Sequence, residues 1–384
     1  MIDLHSRQPL LIQIVPQLKP GRCGVSDHAL PLAAELKASF AMDSAFAVLN
    51  SDERNPVPHR VLFGSQQNLS AICNELAGDS PAAVLVHLSG YGYAPNGAPV
   101  QLAQSLSQLA GEGKFPIAVY FHELFTQTWP WRSSFWARRK QIQVVRSMAE
   151  NASLLLTSIS RYTHWLNTVP RRKPGATVLA MPLFSTCGES IDPLPATRRE
   201  PSMAIFGLEP TRRRAYKELR VRKHLLRDLQ VDCILDIGPG KISPDSLAGV
   251  PVKRLGPLSV PDLAHQLDSI RFGYLSYTAP FIGKSSVFAG YCAHAVIPII
   301  PTPFSGEVDG LKDGAHLLTE KSAPNTGPAQ WDRCALTAWR WYAVHNLHTY
   351  AAALAGWVNR QMSDRRDRDP ARKALQPFQR RSSF

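Results

Sequence analysis

The stretch FGYLSYTAPFIGKSSVFAGYCAHAVIPIIP, residues 272–301, contains the parts of one α/β unit. FGYLSYT (272–278) predicts a buried strand, SVFAGYCAHA (286–295) a helix and VIPIIP (296–301) a second strand. A strand, a helix and another strand in succession are typical of a parallel strand pair, which needs a long crossover connection. The stretch therefore favours a parallel sheet covered by helices.

The loop inside this stretch, APFIGKSS (279–286), ends like a phosphate-binding P-loop. That motif needs a glycine five residues before Gly283, and the position holds Thr278 instead. Ser285 and Ser286 suit a helix N-cap, and a helix start beside Lys284 attracts an anion such as a phosphate. The alternative is an ordinary helix cap next to a solvated lysine.

The same alternation extends over most of the chain. Apolar runs predict strands at 10–15, 45–49, 82–88, 115–122, 152–159 and 176–181, with helical stretches between them. It resumes with strands at 203–208, 232–238, 252–256, 272–278 and 296–301, and an aromatic helical stretch follows at 331–358. We therefore predict an α/β protein with two doubly wound domains.

Composition sets the domain boundaries. Residues 187–202 are polar and rich in Pro and Arg, which predicts a linker between an N-terminal domain (1–186) and a C-terminal domain (203–335). We expect a C-terminal helix at 336–361 that returns to the first domain, and a basic, disordered tail at 362–384.

The charge of the chain is strongly positive. The 384 residues carry a formal net charge of +13, and residues 132–173 hold nine Lys and Arg against the single Glu150. Such a patch suits anionic lipid, nucleic acid or phosphorylated substrates, or is simply a solvated surface. No zinc-finger, RRM or helix-turn-helix pattern is evident, so we predict no nucleic-acid partner.

No apolar run reaches the ~18 residues of a membrane span, and the N-terminus lacks the pattern of a signal peptide. The six cysteines are scattered without a C-x-x-C pair, which predicts reduced thiols. We therefore expect a cytoplasmic protein.

Two loops after strands of the first domain are candidates for ligand contact. Gly21 and Gly24 flank a tight turn into a helix, where glycine lets the backbone approach a ligand closely. Tyr91 and Tyr93 lie in a Gly/Tyr/Pro loop (87–99) that suits sugar recognition. Both patterns also occur in plain turns and loops.

A third loop follows the fourth predicted strand. His122 lies where that strand ends, next to Glu123, and a histidine there can donate to or accept from a substrate hydroxyl. Trp129, Trp131 and Arg132 follow in the same loop and extend the candidate acceptor or sugar site. A purely structural histidine is the alternative.

In the second domain, basic residues follow the first strand. Arg212, Arg213, Arg214 and Lys217 can neutralise a diphosphate. The loop carrying Lys284 follows a later strand of the same predicted sheet, so the two segments form the halves of one candidate anion site.

These motifs together resemble the GT-B glycosyltransferases, particularly the family 4-like group, over most of residues 10–358. PGRCGVSDHALPLAAEL (20–36) is similar to their glycine-loop start, and FHEL (121–124) to their histidine and acidic residue after a strand. MAIFGL (203–208) is similar to the strand after their linker. The resemblance implies two Rossmann-like doubly wound domains facing across a cleft that binds a nucleotide-sugar, with a C-terminal crossover helix.

The sequence departs from the strongest signature of that family, two glutamates separated by seven residues. Aligning AHAVIP (293–298) with the end of the family pattern puts Ile282 and Gly290 at the two glutamate positions. The usual Arg and Lys pair for the diphosphate is displaced into TRRRAYK (211–217). Lys284, Ser285 and Ser286 are the candidates to replace the missing contacts.

The resemblance implies a glycosyltransferase that moves a sugar from a nucleoside-diphosphate sugar to a glycan or lipid-linked acceptor, in polysaccharide or cell-envelope glycan synthesis. It implies retention of configuration and places His122 near the donor sugar. No Asp-x-Asp motif is evident that would hold a metal across a diphosphate, so we predict no metal and no cofactor besides the donor substrate. The alternatives are a non-catalytic GT-B-like protein that binds a glycan, lipid or partner, and a sugar-nucleotide epimerase.

The expected partners are thus a nucleotide-sugar, a glycan or lipid-linked acceptor and an anionic membrane surface. The interleaving of tryptophans with the basic residues of 132–173 suits a membrane interface. We expect the protein to associate peripherally with the inner face of the plasma membrane.

Overall fold

The computed structural model describes residues 8–51, 53–126, 133–170 and 175–368. Trp129, Trp131, Arg132 and the basic residues after 368 lie outside this range. The chain divides into two compact units. The first unit comprises Met1–Thr157, Tyr162–Ala180 and His348–Phe384, and the second comprises Ser158–Arg161 and Met181–Leu347.

The described part of the first unit contains a seven-stranded parallel sheet of order β3-β2-β1-β4-β5-β6-β7. Its strands are β1 Leu10–Val15, β2 Asp43–Val48, β3 Arg60–Phe63, β4 Ala82–Leu88, β5 Ile117–Phe121, β6 Leu154–Thr157 and β7 Thr177–Ala180. Its helices are α1 Gly24–Phe40, α2 Leu69–Ala77, α3 Gly90–Tyr93, α4 Val100–Glu112, α5 Ser133–Asn151 and α6 Ser160–Asn167, whose first two residues belong to the second unit.

The central strands of this sheet are buried along their length because helices cover both faces of a doubly wound sheet. β1 and β4 have the bounds that their apolar runs predict, and they pair in parallel. The sequence pattern missed β3, a short strand whose four residues are only partly buried. The strand order reverses between β1 and β4, and such a reversal opens a crevice at the carboxyl ends of the strands.

The second unit contains a second seven-stranded sheet of order β10-β11-β9-β8-β12-β13-β14 within the described residues. Its strands are β8 Glu200–Phe206, β9 Cys233–Ile237, β10 Ser246–Leu247, β11 Val250–Gly256, β12 Ile270–Tyr274, β13 Ile297–Ile300 and β14 Leu318–Thr319. Its helices are α7 Glu209–Val221, α8 His224–Asp228, α9 Val260–Ser269, α10 Ser286–Ala293 and α11 Pro328–Ala343. Only β10 runs antiparallel to its neighbour.

The stretch 272–301 folds as its pattern predicts. β12 and β13 pair in parallel, with Phe272 opposite Ile297, and α10 connects them. The Ser285 hydroxyl accepts a hydrogen bond from the Phe288 N–H at 3.2 Å, which caps α10. The predicted loop contains a 3₁₀ helix, Ala279–Lys284, directly before this cap.

The C-terminal helical region consists of two helices instead of the single helix that the sequence suggests. α11 ends at Ala343, and α12 runs from Leu347 to Arg368, beyond the predicted end at 361. Glu189 holds the break between them, because its carboxylate accepts the Leu347 N–H at 3.1 Å and the Tyr342 hydroxyl at 2.5 Å. Residues from His348 onward belong to the first unit.

The prediction of an α/β protein with two doubly wound parallel sheets is confirmed. Within the described ranges, no helix combines the length and the apolar character that crossing a bilayer requires.

Candidate functional site

A pocket of about 380 Å³ lies in the second unit, at the carboxyl ends of the strands where the order of the sheet reverses between β8 and β12. Ligands of doubly wound proteins bind at this place because the loops of the two halves diverge there. The residues that follow β12 and β13 form much of its wall, and α7 supplies the opposite side. The lining residues are Arg214, Glu218, Ser276, Tyr277, Thr278, Phe281, Lys284, Pro301 and Thr302.

The charged groups of this pocket favour an anionic ligand. Lys284 is half-buried, with its ammonium 5.9 Å from the centre of the Phe281 ring, and Arg214 is exposed on α7. Glu218 also lines the pocket and pairs at 2.6 Å with Arg222, which in turn pairs at 2.7 Å with Glu320. Lys284 and Arg214 line the same pocket, where cations attract phosphate oxygens, and the hydroxyls of Ser276 and Thr302 add hydrogen-bonding groups.

Arg212, predicted to bind a diphosphate, lies buried behind this pocket. Its guanidinium pairs with the Asp236 carboxylate at 2.5 Å and donates to the carbonyl oxygens of Gly207, at 3.0 Å, and Pro239. The side chains of Arg212 and Asp236 are 0% and 2% exposed, so their charges compensate each other inside the protein. The structure therefore gives Arg212 contacts that hold loops together instead of a place in the pocket.

The other predicted residues of the second unit divide between the pocket and its surroundings. Arg213 is exposed and pairs with Glu209 one turn earlier on α7, and Lys217 is exposed on the same helix outside the pocket lining. Ser285 caps α10, and Ser286 is the first residue of that helix. Of the basic cluster 212–217, only Arg214 joins Lys284 in the pocket.

Neither position aligned with a motif glutamate has room for a carboxylate. Ile282 is fully buried in the core of the second unit. A Cβ atom at Gly290 would lie 2.5 Å from the Cys187 sulfur, which is itself buried. The packing therefore excludes the family's carboxylates at these two places.

The first unit brings three histidines together at the carboxyl end of its sheet. His28 comes from the first turns of α1, His87 is the penultimate residue of β4, and His122 directly follows β5. One ring nitrogen from each lies within 4.8 Å of the other two. We call these residues the histidine cluster. Sequence reasoning identified only His122, because 28, 87 and 122 share no recognisable spacing.

The histidine cluster has a defined hydrogen-bond order. His87 Nε2 lies 2.9 Å from Gln13 Oε1, and the Gln13 amide donates to the Ser44 hydroxyl at 3.2 Å. The amide oxygen can only accept, so His87 carries its proton on Nε2 and turns the Nδ1 lone pair toward His122 Nε2, 3.3 Å away. Burial lowers the pKa of His87 to about 3 and holds the pKa of His28 well below its usual value. Both rings are therefore neutral near pH 7.

The remaining predicted residues of the first unit lie around this cluster's strands. Gly21 has a φ of +70° and donates its N–H to the Asp27 carboxylate at 2.6 Å, while Gly24 is the first residue of α1. Tyr93 is buried and donates to the Ile14 carbonyl, whereas Tyr91 is 48% exposed. The Tyr91 hydroxyl lies 2.9 Å from the Thr126 hydroxyl, so Tyr91 is exposed but held in place, and Tyr93 has a packing role.

Glu123, beside His122, is exposed. The structure also places residues at the two sites that the sequence did not single out. In the first unit these are Gln13, His28 and His87. In the second unit they are Glu218, Ser276, Tyr277 and Thr302. His87 could have been found from its position at a predicted strand end, because strand ends are where doubly wound sheets bind ligands.

Two doubly wound parallel units, with a C-terminal helix that belongs to the first, define the GT-B fold class. The particular solved structures that the chain resembles are glycosyltransferases of this class. Sucrose-phosphate synthase from Thermosynechococcus elongatus is 14% identical, with a TM-score of 0.62 over 93% of this chain and 100% of that chain.

Two other similar structures contain different bound molecules. A UDP-forming α,α-trehalose-phosphate synthase from Burkholderia xenovorans, in complex with glucose-6-phosphate, is 10% identical with a TM-score of 0.57, covering 92% of this chain and 100% of that one. An α-glucosyltransferase in complex with UDP and DNA is 11% identical with a TM-score of 0.54, covering 88% and 95%. At these identities the likeness shows the fold. No family model and no curated protein matches the sequence.

The burial of Arg212 predicts a large difference between two neighbouring arginines. Arg212→Ala should lower the free energy of unfolding by about 3–5 kcal/mol, because it leaves the Asp236 carboxylate buried without its partner. Arg213→Ala removes an exposed ion pair and should cost about 0.5 kcal/mol or less. Urea denaturation followed by tryptophan fluorescence measures both. Equal losses for the two variants would contradict the structural role of Arg212.

Proposed function

We propose that the protein is a glycosyltransferase that moves a sugar from a nucleoside-diphosphate sugar to a glycan or lipid-linked acceptor. The observation that carries the proposal is the cationic pocket at the strand reversal of the second unit, lined by Lys284 and Arg214. The GT-B fold supports it, and two of the similar structures are a UDP-forming synthase and a glucosyltransferase in complex with UDP. We place the reaction in polysaccharide or cell-envelope glycan synthesis, with retention of configuration.

The chemistry of this pocket follows from where negative charge develops. As the bond between the sugar and the diphosphate breaks, charge accumulates on the leaving nucleoside diphosphate. Lys284 and Arg214 are placed to stabilise that charge, and fixed cations act most strongly on charge that grows in the transition state. With two cations at the pocket, we propose that the diphosphate is held without a bridging metal ion.

In the first unit, we propose that His122 contacts the sugar that is transferred. Its ring is half-buried and one of its nitrogens faces His87, so its orientation is restricted. An oriented imidazole can exchange a hydrogen bond with a sugar hydroxyl at neutral pH. Glu123 and Tyr91, exposed near the same strand ends, are the candidates for further contact with substrate.

A second candidate function is a non-catalytic glycan- or nucleotide-binding protein. The observation that favours it is the closed packing at Ile282 and Gly290, which leaves no place for either family carboxylate. Titration with UDP- and GDP-sugars, with the melting temperature as the readout, distinguishes a transferase from a non-catalytic binding protein. Saturable stabilisation with release of nucleoside diphosphate supports the transferase. Stabilisation without turnover supports a nucleotide-binding protein, and no response to any donor contradicts the transferase.

Lys284→Ala should weaken the binding of the nucleoside diphosphate by about 1.5–3 kcal/mol, because it removes a hydrogen bond to a charged group. This corresponds to a roughly 10- to 150-fold higher Kd. Isothermal titration calorimetry with UDP and GDP measures the change. Lys253→Ala is the matched control, since Lys253 is exposed on β11 of the same sheet and outside the pocket. An unchanged Kd for Lys284→Ala would remove this residue from the site.

His122→Ala should lower turnover by at least about tenfold, the effect of roughly 1.4 kcal/mol lost from the transition state. The melting temperature, measured with a metal chelator in both samples, should change little because the ring is half-buried. His59→Ala is the control variant, because His59 is a histidine of the same unit that lies outside the histidine cluster. Normal turnover together with a large loss of melting temperature would show that His122 is only structural.

We also propose that α5 faces an anionic membrane or a phosphorylated lipid acceptor. Arg139, Lys140 and Arg146 are exposed on this helix, and Arg139 and Arg146 lie seven residues apart, hence on one face. Trp136, 76% exposed in the first turn of α5, has the aromatic character typical of the headgroup region. Arg138 differs from them, because its guanidinium packs over the Phe125 ring, 5.4 Å from the ring centre.

Co-sedimentation with vesicles tests this surface. Binding should require anionic lipid, weaken as salt rises, and survive deletion of residues 369–384. Replacing Arg139, Lys140 and Arg146 by Glu should abolish it, since each Lys or Arg near such a surface contributes about 1 kcal/mol. Equal binding to neutral vesicles, or loss of binding on deletion of the tail alone, would show that α5 is not the membrane-facing surface.

A further inference from the structure

The histidine cluster has the composition of a transition-metal site. Imidazole nitrogens are ligands for Zn²⁺, whereas Mg²⁺ and Ca²⁺ select oxygen. His28, His87 and His122 come from three separate elements, and each can direct one nitrogen into a space where all three lie within 4.8 Å of one another. The His28 ring meets the other two edge to face, centred 5.5 Å from His87 and 5.2 Å from His122, while the His87 and His122 rings are inclined by 29° with their centres 5.5 Å apart.

The shortest distance in the histidine cluster fits a shared metal. Two nitrogens bound to tetrahedral zinc at 2.0–2.1 Å lie roughly 3.3 Å apart. His87 Nδ1 and His122 Nε2 are separated by 3.3 Å. The metal-free protein can form a hydrogen bond between these two nitrogens at the same distance, so an ion would replace that bond without a large movement of either ring.

The partners of His87 are those of a metal-bound histidine. A ligating imidazole usually donates its other N–H to a neighbouring acceptor, which fixes the tautomer and the ring orientation. His87 Nε2–H donates to Gln13 Oε1 at 2.9 Å, and Ser44 holds the Gln13 amide in that orientation. The Nδ1 lone pair consequently faces the other two histidines.

Three protein nitrogens leave one position of a tetrahedral ion for water. His28 and His87 are 2% and 0% exposed, while His122 is half-buried, so solvent reaches the histidine cluster from the His122 side. Nitrogen-only zinc sites with three histidines bind a water in this way, and its ionisation offsets part of the ion's charge. We propose that His28, His87 and His122 form a zinc site in the first unit.

This zinc site is separate from the proposed diphosphate pocket, which belongs to the second unit. Zinc would join α1 to the ends of β4 and β5 and hold the His122 ring by Nε2. Its binding can be measured without any sugar substrate, so the zinc site and the transferase activity succeed or fail independently.

The test uses the full-length protein, freed of metal with a chelator and titrated with Zn²⁺ by calorimetry. We expect one equivalent to bind, and Co²⁺ in its place to give the intense visible absorption of a tetrahedral ion. Binding should fall below detection in His122→Gln and in His28→Phe, which keeps a ring against Tyr120. Gln13→Met should weaken it roughly 10- to 100-fold. His348→Gln, at an exposed position of the same unit, should leave it unchanged.

Three results would overturn the proposal. These are no Zn²⁺ binding by the wild-type protein, Zn²⁺ binding that persists in both His122→Gln and His28→Phe, and a Co²⁺ spectrum of an octahedral ion. Circular dichroism verifies that each variant folds. If a variant does not fold, the Co²⁺ spectrum of the wild-type protein still tests whether the bound ion is tetrahedral.

Discussion

The buried pair of Arg212 and Asp236 is the constraint on which the second unit's pocket depends. It ties the first turn of α7 to the end of β9, and the same guanidinium also holds the carbonyls of Gly207 and Pro239. Gly238 sits against this network so closely that a Cβ atom there would lie 2.2 Å from the Gly207 oxygen. Two residues along α7, Arg214 then reaches the pocket from a fixed helix start. The buried ion pair of Arg212 and Asp236 thus positions Arg214, whose charge is exposed to a ligand.

In the first unit, uncharged side chains take the positioning role that the ion pair has in the second. Ser44, Gln13 and His87 form a chain of hydrogen bonds across β2, β1 and β4, and its end faces His122 after β5. Gln13 and His87 are the polar residues of β1 and β4, whose other residues are apolar, so each needs the hydrogen bond between them to satisfy its buried polar atoms. In both units the ordered polar groups lie where the strand order reverses, which is where a ligand can approach the sheet.

The sequence predicted the sheets well because buried parallel strands are continuous apolar runs, as in β1 and β4. It missed β3, β10 and β14, which are short and lie at sheet edges, where packing leaves little pattern. For the sites, local pattern identified Lys284 and His122 at strand ends. It could not separate Arg212 from Arg214, because burial depends on Asp236, and it could not bring together residues 28, 87 and 122, because only the fold makes them neighbours.

The contact between Gly290 and Cys187 limits how this chain can change over evolutionary time. The Cβ atom of a glutamate at position 290 would clash with the Cys187 sulfur whatever the rotamer of the side chain. The substitution alone therefore damages the core. A smaller residue at 187 would have to appear first, and that residue alone would leave a cavity beside α10. The two positions are therefore epistatic. No single substitution therefore places an acidic residue at position 290 without a cost to the core.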